Sequence, residues 1–180
     1  MLNQPPYIVT DVFTGIVEAV STVLNVPSKL NKPVYSYYGY VTELNESLVQ
    51  LSESPDKFNK KFPLIYLVQP FTIASDTIGV YGKIDELRMF IITDSRKEYK
   101  SKDRIANVYK PILYPIQYEL FRQMDKCKEF AGYKANQNFK ITDHYYWGEN
   151  QKSVLNDVVD TIEVRFQNIK IHNNKNCLTT

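Results

Sequence analysis

Residues 85–93 read DELRMFIIT, and at the two-residue period of a strand both sides of this run are apolar. Leu87, Met89 and Ile91 share one face; Phe90 and Ile92 share the other. A strand that is apolar on both faces needs material packed over each of them. The segment therefore predicts a strand covered on both faces in a layered fold.

The rest of the chain supplies candidate layers. Asp11 can cap a first helix over Val12 to about Asn25, with Val12, Ile16, Ala19, Val20 and Val23 at helical spacing and Pro27 as a stop. Val34–Leu44, VYSYYGYVTEL, predicts a strand, and Phe62–Phe71, bracketed by Pro63 and Pro70, a short buried one. Asp94–Lys110 is a polar, basic stretch, expected as a loop. A second helix follows, with Pro115 in its first turn, a stripe of Ile116, Leu120, Met124 and Cys127, and Gly132 as its end. A last strand is expected from about Thr161 to Ile171. Its apolar phase shifts between Phe166 and Ile169, which predicts a β-bulge near Asn168. The expected class is α+β: an N-terminal helix, a mostly antiparallel or mixed sheet, a long second helix packed on the sheet, and a closing C-terminal strand. Both helices are expected on one face. Residues 1–10, with Pro5 and Pro6, predict an extended arm, residues 11–172 a single α+β domain, and residues 173–180 a polar tail.

The formal charge of +2 on 180 residues gives no general case for a nucleic-acid or membrane-surface protein. Fourteen tyrosines, each an apolar body with a polar tip, suit strands and protein interfaces. Cys127 and Cys177 form no CxxC pair, so a disulfide framework is not indicated and a reducing compartment is expected. No apolar run is long enough to span a bilayer, which predicts a soluble protein made in a cytoplasm.

Motifs for chemistry are sparse. No GxGxxG, P-loop or GxSxG occurs, and neither His144 nor His172 has a partner at metal spacing. No cofactor and no metal is expected. Asp157, Asp160 and Glu163 stand at three-residue spacing, but Asp160 and Glu163 straddle a strand start and should point to opposite faces. An acidic edge, solvated or between subunits, is therefore expected in place of a catalytic cluster. A nuclease-type reading would use Asp85 with Glu98 and Lys100 around a metal. Arg96, Lys97, Lys100, Lys102 and Arg104, with Tyr99 among them, form a basic run able to neutralise phosphates or to face a partner.

The stretch Tyr145-Tyr146-Trp147-Gly148, then Leu155-Asn156-Asp157 and Asp160-Thr161-Ile162-Glu163 leading into a strand, resembles the closing region of head–tail connector and tail terminator proteins of tailed bacteriophages, of the kind found in phages and prophages of Bacteroides-type bacteria. The element order resembles that family over most of the chain. The long stretch Gln69–Asp85 and the tail after Ile171 depart from it. The resemblance implies a virion structural protein, not an enzyme: a homo-oligomeric ring at the head–tail junction. It would touch other connector, portal or tail proteins, with DNA passing non-specifically through its lumen and no membrane contact. It further implies synthesis in the bacterial host cytoplasm and subunit contacts through Tyr7, Tyr145, Tyr146, Trp147, Asp157, Asp160 and Glu163. The acidic edge would meet the basic run Arg96–Arg104 of the next subunit. The competing expectations are a small metal-dependent nuclease-like enzyme and an intracellular protein-binding adaptor.

Overall fold

The computed structural model describes residues 9–53, 60–75, 81–127, 130–131, 139–144 and 158–172. Helix α1 (Val9–Leu24) leads to strand β1 (Tyr35–Tyr40) and directly into helix α2 (Val41–Glu53). Strands β2 (Leu64–Gln69), β3 (Ile73–Ser75) and β4 (Tyr81–Asp94) follow. A continuous helical run then comprises α3 (Ser101–Arg104), a π-helical segment (Ile105–Leu113) and α4 (Tyr114–Lys126). Strands β5 (Phe130–Ala131), β6 (Phe139–His144) and β7 (Val159–His172) are the last of the described elements.

All seven strands among the described residues share one mixed sheet. The path runs β1-β2-β4-β7, with β3 beside β4 and both β5 and β6 on the far side of β7. Only β1 and β2 are parallel to each other; β4 pairs antiparallel with β2 and β7. The expected α+β class holds, and DELRMFIIT lies inside the sheet between β2 and β7.

Each face of β4 is covered, as its composition requires. Leu87, Met89 and Ile91 join Ile65, Leu67, Ile162, Val164 and Phe166 beneath α1 and α4, which contribute Phe13, Val17, Val20, Ile116, Leu120 and Met124. Phe90 and Ile92 face the other way and pack with Leu64, Tyr66, Leu44 and Leu48. The second cover is α2, where a strand through Leu44 and helices on one face only were expected. The β-branched Val41 and Thr42 extended that strand reading, whereas Leu44, Leu48 and Leu51 form a helical stripe and are buried. Burying each leucine contributes on the order of 2 kcal/mol. Glu43 fixes the start of α2: its carboxylate accepts the Tyr40 N–H at 2.9 Å, the reach-back half of a capping box.

Two further expectations change. The helix begins at Val9, so Val9 and Thr10 are buried helical residues and do not belong to an arm, and Asp11 sits inside the first turn. The second helical run starts at Ser101, not near Pro115. Its wide π turns accommodate Pro111, whose ring would collide with the carbonyl four residues back in a tighter helix. Lys102, Arg104 and Lys110 are thus helical.

The phase shift expected near Asn168 is present, with a different cause. Asn168 has φ 56°, and Phe166 and Ile169 both reach the α1–α4 side. Opposite them, Leu87 and Ile84 do the same. The pairing runs from Glu86↔Gln167 to Ile84↔Ile169 with equal residue counts on both strands. Both strands therefore change phase at one rung, Asp85 opposite Asn168, and there is no one-sided bulge.

Tyr66 offers a pH test of the α2 side. Its hydroxyl donates to the Tyr40 carbonyl at 2.9 Å. Burial first, and the Glu43 carboxylate second, push its pKa from 10.0 up to about 12. The folded chain holds this proton more tightly than the unfolded chain. Its contribution to stability is therefore full below pH 10 and declines as the pH rises toward 12. Tyr35 and Tyr37 are also raised by burial, so a tyrosinate absorbance titration should show a late component that Tyr66→Phe reduces at its high-pH end; no change on that substitution would refute the assignment.

Candidate functional site

The densest polar constellation gathers around Arg104. One guanidinium nitrogen, Nη1, lies 2.6 Å from Asp160 Oδ1 and 2.9 Å from Ser95 Oγ. Nε donates to the Tyr99 carbonyl at 3.0 Å and Nη2 to the Arg96 carbonyl at 3.2 Å. Ser95 Oγ in turn donates to Asp160 Oδ2 at 2.6 Å. Asp160 is fully buried and Arg104 nearly so. One turn on, the Tyr109 hydroxyl donates to the Thr161 carbonyl at 3.2 Å. The network ties residues 95–99 and the start of the helical run to the first residues of β7.

This corrects the expected role of two residues. Asp160 does not form an outward acidic edge, and Arg104 is not available to DNA or to a neighbour. Basic run and acidic strand do meet, but within one chain. The fold draws them inside because β7 places Asp160 on the same sheet face as Ile162 and Val164, under the helical run.

Glu163 is the second correction. It lies on the opposite face, as the strand alternation predicted, and is also buried. Its carboxylate accepts from Arg88 Nε across the β4–β7 pair and from Arg165 Nε at 2.7 Å. That bond to Glu163, before any other influence, raises the Arg165 pKa further. Glu86 stands 3.9 Å from Arg165, and Arg88 lies over the Phe90 ring at 4.7 Å.

Arg96, Lys97, Lys100 and Lys102 are exposed, with Arg96 5.7 Å from the Tyr99 ring centroid. Tyr7, Tyr145, Tyr146, Trp147 and Asp157 lie outside the described residues. The nuclease-type trio is not brought together. Asp85 pairs with Lys83 at 3.2 Å and sits nine positions before Asp94, roughly 30 Å along the strand. Glu98 and Lys100 follow beyond the Asp94 end, and four residues span at most about 14 Å of return. Among the described residues no three His, Cys, Asp or Glu side chains group closely enough to hold a metal ion.

A surface absent from the sequence reading lies along α4, beside β6. Tyr114, Gln117, Tyr118, Phe121, Arg122 and Asp125 line an open groove of about 500 Å³. Phe121 stacks edge-on against Phe139 of β6 and Phe166 of β7, with centroids 5.0 and 5.5 Å apart. The Tyr114 hydroxyl donates to Asp143 at 3.3 Å. Phe139 and Ile141 remain partly open, and Tyr118 is 70% exposed. At the other end of the sheet, the outer strand β1 exposes Tyr38 and Tyr40 to 55% and 50%. The available signal was the aromatic series Tyr114, Tyr118, Phe121, which continues around the helix past the buried stripe.

A scan against protein-family models finds no match to this chain, and a search of the curated proteins finds none either.

Proposed function

We propose that this chain is a virion structural protein that forms a ring at the head–tail junction of a tailed phage, as a connector or tail terminator. The observation that carries the reading is the pair of unlike aromatic surfaces at opposite ends of one sheet. One is the α4 groove with Tyr118, beside the exposed Phe139 and Ile141 of β6; the other is β1 with Tyr38 and Tyr40. Exposed tyrosine and phenylalanine of this kind suit the anchors of protein interfaces. A subunit with two different sticky ends associates head to tail, and such contacts close into a ring when the rotation per subunit fits. The resemblance of the closing segment to connector and terminator proteins points the same way.

Tyr118 gives the test, because its ring is too exposed to matter to folding. The concentrated wild-type protein should form closed rings in electron micrographs and sediment as one large species. Tyr118→Glu should sediment as a monomer with an unchanged melting temperature. A wild-type protein that stays monomeric at every concentration, or a Tyr118→Glu variant that still assembles, would count against the reading.

A further inference from the structure

The face of the sheet turned away from α1 and α4 carries an unusual register. Lys83 on β4 stands directly opposite Lys170 on β7, and Arg88 opposite Arg165. Arg165 is also directly opposite Lys140 on β6. Three cross-strand pairs of like charge therefore occur on this face of β4, β7 and β6, two of them sharing Arg165. Like charges facing each other across strands destabilise a sheet. The carboxylates on this face offset the repulsion only in part: Glu163 holds Arg88 and Arg165, Asp85 holds Lys83, and Glu86 reaches Arg165. Lys140 and Lys170 are exposed and make no ion pair among the described residues.

The depths of these groups matter as much as their number. The Glu163 side chain is 5% exposed, while those of Arg88 and Arg165 are 29% and 39%. The carboxylate lies beneath and the guanidinium groups above, so an approaching anion meets donors held in place from below. Guanidinium groups so oriented suit phosphate oxygens. The cations fall in two rows, Lys83–Lys170 and Arg88–Arg165–Lys140, roughly 17 Å apart along the strands.

We propose that this face of β4, β7 and β6 binds the phosphate backbone of duplex nucleic acid, without base specificity. A backbone with a negative charge every ~1.7 Å of duplex axis offers phosphates to both rows at once. A membrane surface is disfavoured because the apolar side chains of this face, Phe90 and Ile92, are covered by α2. The property belongs to the single chain and does not depend on ring formation.

Lys140→Ala combined with Lys170→Ala tests it, since both side chains are exposed and neither supports the core. Binding of a short labelled DNA duplex is followed by fluorescence anisotropy over a salt series. The double variant should bind about tenfold more weakly, and the slope of log affinity against log salt should fall by about two. A second variant neutralises Arg96, Lys97, Lys100 and Lys102 and should bind as wild type does. Unchanged binding by the lysine double variant would overturn the proposal. So would loss of binding in the second variant alone, or binding to anionic vesicles with none to the duplex.

Discussion

Alanine in place of Arg104 destabilises the fold by about 3–5 kcal/mol, the usual cost of removing one partner from a buried ion pair. Asp160, fully buried, would lose its guanidinium partner, and the carbonyls of Tyr99 and Arg96 would each lose a side-chain donor. A domain of this size is held by roughly 5–15 kcal/mol in all, so the loss is visible at once in a urea titration. Lysine at position 104 does little better, because one ammonium cannot span four acceptors spread around a planar fork. Replacing both partners with apolar residues, Arg104→Met with Asp160→Leu, should recover most of the stability. The experiment separates two roles for this arginine. Were it a surface cation for DNA or a neighbouring subunit, Arg104→Ala would keep its urea midpoint and lose only association, and the buried network would be refuted.

Gly39→Ala is the second large effect, about 2–4 kcal/mol from backbone strain and lost hydrogen bonds together. Gly39 holds φ 156°, which L side chains rarely adopt, and a Cβ there would sit 2.6 Å from Glu43 Oε2 and 2.7 Å from the Tyr66 hydroxyl. Those two groups hold Tyr40 at the β1–α2 corner: Glu43 of α2 accepts its N–H, and Tyr66 of β2 donates to its carbonyl. The damage should localise: amide exchange in α2 accelerates before that in β4 and β7. Adding Tyr66→Phe removes one of the two close contacts and should return part of the loss. A Gly39→Ala protein within about 0.5 kcal/mol of wild type would mean that the β1–α2 corner yields easily.

The core of the sheet was legible because its periodicity is local. DELRMFIIT announces two covered faces, and Ile116, Leu120 and Met124 announce a helix, without reference to any distant residue. What covers the second face was not legible, since Val41 and Thr42 favour a strand and the decision for helix rests on Glu43 reaching back to Tyr40. The basic run was read as one charged loop. Its last member, Arg104, is instead an interior residue, and only the tertiary pairing with Asp160 reveals it. Glu163 and Asp160 were rightly assigned to opposite faces, yet both turned inward, because Arg88 and Arg104, far away in sequence, supply counter-ions to them. The aromatic groove and the cationic face share a reason for being missed. Each is assembled from separate elements, and register, which pairing alone sets, brings their members together.

The shared change of phase at Asp85 and Asn168 has a consequence for how this protein can vary. Removing a residue from one strand would turn its outer half over, sending Ile84 or Ile169 to the charged side and a lysine toward the apolar layer. Only a matching loss on the other strand keeps both halves aligned. Length in this ribbon is therefore a joint property of two distant stretches of the gene, and descent with insertions or deletions has to carry them as a pair.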